Sequence, residues 1–185
     1  TCVDYSEDWQ LPDLLARDKK SAFFPGSSIG NFEPEEAVNL LQVIRRLLGS
    51  EGNLLIGVDV KKDQSLLEAA YNDNKGVTAA FNLNVVDRLC RELDLDLTTE
   101  DFKHVALYDD TRGRIEMHLE SLKPQAFAVE SESFQLQAGE RLHTESSYKY
   151  AIDEFQGLAH DAGFEAKQVW TDEQQLFSIH CLQAR

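Results

Sequence analysis

Apolar residues recur at helical spacing over residues 37–48 and predict the clearest helix of the chain. This stripe consists of Ala37, Leu40, Leu41, Ile44, Leu47 and Leu48. Pro34 suits the first turn of such a helix, and Glu35 and Glu36 are favourable near its positive end. Gly49 follows the last apolar position and ends the helix.

Two apolar segments flank this helix and predict strands. Residues 54–60 form a nearly continuous apolar run, typical of a strand covered on both faces of a sheet. Residues 22–25 form a shorter run before the helix. The segment between this first strand and the helix therefore lies at the carboxyl end of a strand, where open α/β sheets bind ligands. We predict a doubly wound α/β sheet with residues 26–33 as a candidate ligand loop.

The middle of the chain changes from helical to alternating periodicity. Helices are predicted at residues 65–71 and 78–93, the second with an apolar stripe of Phe81, Val85, Val86 and Leu89. From residue 115 to 120, apolar and polar residues alternate, which indicates a half-buried antiparallel strand. Further strands are predicted at residues 126–129, 134–136 and 142–148. A helix at residues 150–162 and two strands at 164–170 and 176–182 close the chain.

Composition narrows the class of partner. The 185 residues suffice for one sizeable core and a small lobe, and the net charge of −15 argues against nucleic acid or an anionic membrane. Three cysteines lie far apart in no metal-ligand spacing, so we expect reduced thiols in a cytoplasmic protein and no metal site.

Residues 26–30 read Gly-Ser-Ser-Ile-Gly and formally match the Gly-x-Ser-x-Gly elbow of serine hydrolases, with Ser28 as the nucleophile. That elbow requires a helix directly after the serine, whereas three residues stand between Ile29-Gly30 and Pro34. An α/β serine hydrolase is therefore the weaker alternative. Gly26 and Gly30 equally suit a loop that approaches a ligand closely or needs a positive φ.

The glycine-rich motif Gly-x-Gly-x-x-Gly of nucleotide-binding βα units occurs nowhere in the sequence. The chain also begins at Thr1 without an initiator methionine, in what reads as the end of a strand. We expect it to be the C-terminal portion of a longer protein, with a cofactor loop upstream.

Six ordered motifs make the sequence similar to the histidine-specific methyltransferase family of ergothioneine biosynthesis. They read Phe-Phe-Pro-Gly-Ser-Ser-Ile-Gly-Asn-Phe from residue 23, Glu-Ala-Ala-Tyr-Asn-Asp from 68, Gly-Val-Thr-Ala-Ala-Phe-Asn from 76, Arg-Ile-Glu-Met from 114, Thr-Glu-Ser-Ser-Tyr-Lys from 144 and Trp-Thr-Asp from 170. The resemblance implies a class I methyltransferase (Rossmann-like) sheet with an inserted α+β substrate-binding lobe. Residues 1–62 and 149–185 would form the sheet domain, and residues 63–148 the lobe.

The resemblance also implies an activity. The family transfers methyl groups from S-adenosyl-L-methionine to the α-amine of histidine, giving trimethylhistidine. Asp4 and Tyr5 resemble the positions that contact the cofactor's adenine. Gly26 and Asn31 resemble loop positions that meet the backbone groups of the amino acid. A non-catalytic ligand-binding domain of the same fold remains an alternative, and no side chain is assigned as a catalytic acid or base.

Four further residues resemble contacts to the substrate. Tyr71 would bind its carboxylate, Met117 would form a wall of the pocket, and Glu145 and Ser147 would hold the imidazole. If residues 142–148 are extended, Glu145 and Ser147 project from one face, where a carboxylate and a hydroxyl can bind the two ring nitrogens. Plain structural roles compete with these contacts, since Tyr71 suits a helix end and Met117 suits the core.

Overall fold

The computed structural model describes residues 19–185, so the predictions for Asp4 and Tyr5 lie outside the described residues. Four α-helices are described: α1 Pro34–Leu48, α2 Gln64–Tyr71, α3 Val77–Leu93 and α4 Ile152–Asp161. The strands of the described part are β1 Ser21–Phe24, β2 Asn53–Asp59, β3 Phe102–Asp109, β4 Arg114–Ser121, β5 Gln125–Val129, β6 Glu132–Leu136, β7 Arg141–Tyr148, β8 Phe164–Thr171 and β9 Phe177–Ala184. The elements predicted from the hydrophobic pattern between residues 22 and 182 are thus confirmed.

The chain divides into two compact units. The first consists of Thr1–Lys61 and Tyr148–Arg185, and the second of Lys62–Ser147. The second unit is therefore an insertion within the sequence of the first. No helix among residues 19–185 is long and apolar enough to cross a membrane.

The described part of the first unit contains a mixed sheet with strand order β1-β2-β9-β8. β1 runs parallel to β2, whereas β9 runs antiparallel to both β2 and β8. The predicted stripe of α1, except for the half-buried Leu47, is buried in the core together with Leu54, Ile56 and Val58 of β2. Phe155 of α4 and Phe164 of β8 are fully buried in the same core.

The second unit contains a three-stranded sheet of order β3-β4-β7 and a β5-β6 hairpin. β4 pairs antiparallel with β3, as the alternating pattern of β4 predicts, and β5 pairs antiparallel with β6. One cluster joins Leu67 of α2 to Ala106, Ile115 and Met117 of the sheet. A second cluster joins Val86 of α3 to β3, β4 and β6 through Phe102, Leu119 and Leu136.

The predicted apolar stripe of α3 is wrong at one position. Phe81 is 62% exposed, whereas the neighbouring Asn82 is only 1% exposed. Consecutive helical residues point about 100° apart, so the buried face lies one residue further along than the hydrophobic pattern indicates. Asn82 takes the buried position because it finds polar partners there.

Candidate substrate site

The candidate ligand loop begins one residue after β1, with two residues in the left-handed region. Gly26 has φ +79° and Ser27 has φ +58°. Glycine adopts this conformation without strain, whereas serine needs support from its surroundings. Ser27 has that support, because its Oγ accepts a hydrogen bond from the backbone N–H of Asp59 at 2.8 Å. Since Asp59 ends β2, the loop is tied to the carboxyl ends of two parallel strands.

Gly30 is required by a close approach within the first unit. A Cβ on this residue would lie 2.6 Å from the carbonyl oxygen of Tyr148, closer than real Cβ contacts allow. The need for glycine here is thus explained by packing against the backbone. Asn31 ends the short 3-10 turn Ser28–Asn31 and is exposed, so its amide is accessible.

The loop geometry does not favour the serine-hydrolase alternative. The strained, left-handed residue is Ser27, and its hydroxyl is engaged with Asp59. Ser28 instead begins the 3-10 turn, and α1 starts only at Pro34. A nucleophile elbow places the serine itself at the sharp turn between strand and helix.

In the second unit, two predicted substrate residues lie in direct contact. Tyr71, the last residue of α2, donates its hydroxyl proton to Ser147 Oγ at 2.9 Å, although the two are 76 positions apart. Tyr71 also packs against the buried cluster that contains Met117, which is 2% exposed. The structure therefore brings Tyr71, Ser147 and Met117 together. The position of Met117 fits the core role that the sequence left open, and its contact with substrate stays a prediction.

Glu145 lies in β7, which is extended as predicted, and its side chain is half-buried. His143 Nε2 lies 3.1 Å from the backbone carbonyl oxygen of Glu145. The strand thus carries Glu145 two residues before Ser147. A carboxylate and a hydroxyl in this order can pair with a donor and an acceptor of one planar ring.

β4 carries an ionic cluster that sequence reasoning treated as a polar strand face. Arg114 Nη2 lies 2.6 Å from Glu116 Oε1, and the two side chains are only 5% and 14% exposed. Burial, the largest single influence, raises the pKa of Glu116, but the hydrogen bond and charge of Arg114 with the two histidines outweigh it and hold the pKa below its ordinary value. Burial also lowers the pKa of His118, whose ring lies 5.0 Å from that of His143.

Three polar residues that sequence reasoning missed surround the contacts of Tyr71 and Ser147. They are Asn82, His104 and Thr144, and they form hydrogen bonds with one another or with Tyr71. Asn82 ends one of the family motifs, and Thr144 begins another. The presence of these two polar residues within family motifs is the sequence signal that could have identified them.

Comparison with solved structures agrees with this architecture. An S-adenosylmethionine-dependent methyltransferase from Clostridium acetobutylicum superposes with a TM-score of 0.50 at 9% identity, covering 100% of this chain and 63% of that one. At that identity the likeness concerns the fold alone. The fold is that of the class I methyltransferases, with a mixed α/β sheet.

The sequence places the chain more narrowly. The model of the family described as histidine-specific, SAM-dependent methyltransferase matches residues 1–184, and the chain belongs to this family. Histidine N-alpha-methyltransferase of Mycolicibacterium smegmatis is 34% identical over 92% of this chain and 53% of its own length. The protein of the same name from Mycobacterium tuberculosis is 33% identical, over 96% of this chain and 56% of its own. The chain thus spans about half the length of these relatives.

Proposed function

We propose that the full-length protein carrying this chain methylates the α-amino group of histidine to trimethylhistidine with S-adenosyl-L-methionine. Membership of the family and the names of the two mycobacterial relatives support this substrate and donor. A 28% identical relative from Neurospora crassa is named ergothioneine biosynthesis protein 1, which supports a role of the product in that pathway. Cytoplasmic location belongs to the same proposal.

The hydrogen bond between Tyr71 and Ser147 is the observation that carries the proposal. The family resemblance assigns these two residues to one ligand, and their hydroxyl oxygens lie 2.9 Å apart. The carboxylate of Glu145 would accept the imidazole N–H. Because Ser147 Oγ already accepts from Tyr71, its hydroxyl would serve the other ring nitrogen as a donor. We therefore infer that Lys62–Ser147 is the substrate-binding lobe.

The first unit would contribute the loop. Gly26 lets the chain turn sharply after β1, and the exposed amide of Asn31 can both donate to and accept from the backbone groups of an amino acid. Asp4 and Tyr5, proposed to contact the adenine, precede the described residues. The donor supplies a methyl group on a sulfonium, and positioning of the amine would account for most of the acceleration.

The amine must lose a proton before it can react. An α-amine with a pKa near 8 is largely protonated at pH 7. No side chain is proposed as the base, and the proton would leave to water.

The direct test is incubation of the full-length protein with histidine and S-adenosylmethionine, with mass spectrometry of the amino acid. We expect histidine carrying one to three methyl groups, and a lower rate for Asn31→Ala, which removes an orienting amide without loss of core packing. Methylation of another amino acid but not histidine would refute the proposal that histidine is the substrate. Binding of histidine without any methyl transfer would instead identify a non-catalytic domain of this fold.

A further inference from the structure

Asn82 is a buried amide that holds all three strands of the second unit's sheet. It lies in α3 and is 1% exposed. Its Nδ2 donates to the carbonyl oxygen of His118 on β4 at 3.0 Å and lies 3.0 Å from His104 Nδ1 on β3. Its Oδ1 accepts from Thr144 Oγ1 on β7 at 2.7 Å. Every polar atom of this side chain therefore has a partner, as a buried amide requires.

These contacts determine the tautomer of His104. A carbonyl oxygen can only accept, so the NH₂ group of Asn82 must face His118. The same NH₂ group then faces His104 Nδ1, which must accept, and the ring proton resides on Nε2. Nε2 lies 2.9 Å from the carbonyl oxygen of Tyr71, which also can only accept. The contact of Nδ1 and the contact of Nε2 thus require the same neutral tautomer of His104.

The bonds close into a ring that includes proposed substrate residues. From Asn82 they run through His104 to the backbone of Tyr71, and from the hydroxyl of Tyr71 to Ser147. β7 connects Ser147 back to Thr144, which donates to Asn82. Glu145 lies on this strand between Thr144 and Ser147. The ring therefore links the end of α2 to the segment proposed to hold the imidazole.

We propose that Asn82, acting through His104 and Thr144, is a positioning residue for the amino-acid substrate, an inference that rests on the proposed function. Tyr71, Glu145 and Ser147 can bind one ligand only if their spacing is held closely, and supporting hydrogen bonds are the means of holding it. The end of α2 has a second anchor, because Asn72 Nδ2 donates to the carbonyl oxygen of Ala106 at 2.9 Å. Loss of Asn82 should consequently loosen the site without unfolding α2.

Steady-state kinetics of the full-length protein test this role with matched variants. Thr144→Val removes the hydroxyl at nearly constant shape, whereas Thr144→Ser keeps it. We expect Asn82→Ala and Thr144→Val to raise KM for histidine about five- to tenfold, with KM for S-adenosylmethionine changed by less than about twofold. Thr144→Ser should retain the wild-type KM for histidine.

Gln125→Ala is the control for loss of a buried amide in the same unit. Gln125 is 9% exposed and donates from Nε2 to Ser121 Oγ at 2.6 Å, outside the ring. The Gln125→Ala variant should have a lower melting temperature than the wild type, as Asn82→Ala should, but an unchanged KM for histidine. If Asn82→Ala gave the same KM as Gln125→Ala, the positioning role would be refuted.

The tautomer provides a readout that does not depend on turnover. Long-range ¹H–¹⁵N correlation spectra, assigned with a His104→Gln variant, should show His104 protonated at Nε2. Asn82→Asp would place a carboxylate oxygen against Nδ1 while the Tyr71 carbonyl oxygen still faces Nε2, so both ring nitrogens of His104 should be protonated in that variant. A wild-type protein protonated at Nδ1 would overturn the ring of bonds whatever the substrate.

The outcomes separate the two proposals. A wild-type protein that methylates no amino acid refutes the proposed function, and the positioning role falls with it even if the tautomer is as expected. A wild-type protein that methylates histidine, together with variants of Asn82 and Thr144 that keep the control KM, refutes the positioning role alone.

Discussion

Lys149 Nζ lies 2.9 Å from Asp59 Oδ2 in the first unit, and the lysine side chain is 1% exposed while that of Asp59 is 19% exposed. The backbone N–H of Asp59 also donates the hydrogen bond to Ser27 Oγ. The ion pair therefore lies at the strand end that anchors the candidate ligand loop. An ammonium group so deeply buried is tolerated only with a charged partner.

Lys149→Met should lower the free energy of unfolding by about 3 kcal/mol, because the carboxylate of Asp59 loses its buried counter-charge. Urea denaturation of the wild-type and variant proteins measures the difference. Lys61→Met is the matched control, since Lys61 and Glu154 pair at 2.6 Å with 38% and 46% of their side chains exposed. That pair should contribute less than about 1 kcal/mol. Equal effects of the two variants would contradict the importance of burial.

Gly30→Ala should destabilise the protein by about 1–3 kcal/mol, because its Cβ would lie 2.6 Å from the Tyr148 carbonyl oxygen and the backbone would have to move. Gly157→Ala provides the opposite case. Gly157 lies within α4, and apart from its chain neighbours and the nearby backbone of its own helix no atom would lie within 4 Å of a Cβ at this position. Alanine should stabilise that helix by about 0.5–1 kcal/mol. Thermal melts of both variants measure these changes in stability. A Gly30→Ala variant with the wild-type melting temperature would show that the contact with Tyr148 relaxes readily.

Glu145→Ala should raise KM for histidine by about one to two orders of magnitude, because a charge-assisted hydrogen bond of about 1.5–3 kcal/mol is lost. Discrimination against phenylalanine and tryptophan should fall as well, since the penalty for an unpaired carboxylate disappears. Ser147→Ala should act in the same direction but less, because a neutral hydroxyl is the weaker partner. The measurement is kcat/KM of the full-length protein with each amino acid. An unchanged preference for histidine would place ring recognition elsewhere.

His180 should make stability depend on pH on the acid side. The side chain is fully buried, and burial lowers its pKa from the ordinary 6.5 to about 4. Between these values the unfolded chain binds the proton and the folded one does not, so stability is fully present above pH 6.5 and falls as the pH drops toward 4. The contribution lost is about 3 kcal/mol.

Urea midpoints measured between pH 4 and 7 test this dependence. His180→Leu should flatten the curve in that range, because leucine binds no proton. His160→Leu, which changes a histidine whose side chain is 60% exposed, is the matched control. A wild-type curve that is already flat would exclude a buried neutral His180.

Periodicity alone determined most of the described secondary structure. The apolar stripe of α1, the alternation in β4 and the continuous run of β2 each follow from which faces of an element must leave water. The motifs around Gly26, Tyr71 and Ser147 likewise indicated the family from sequence. Such local patterns are readable because they repeat within a few residues of one another.

The tertiary structure decided which polar groups are buried. A hydrophobic pattern placed Phe81 in the core, but Asn82 occupies that position because Thr144, 62 residues away, supplies its partner. The pairing of Tyr71 with Ser147 and the burial of Lys149 against Asp59 have the same origin. The cost of burying an amide or a charge is offset only by groups that the fold brings near, and those groups have no fixed spacing in the sequence.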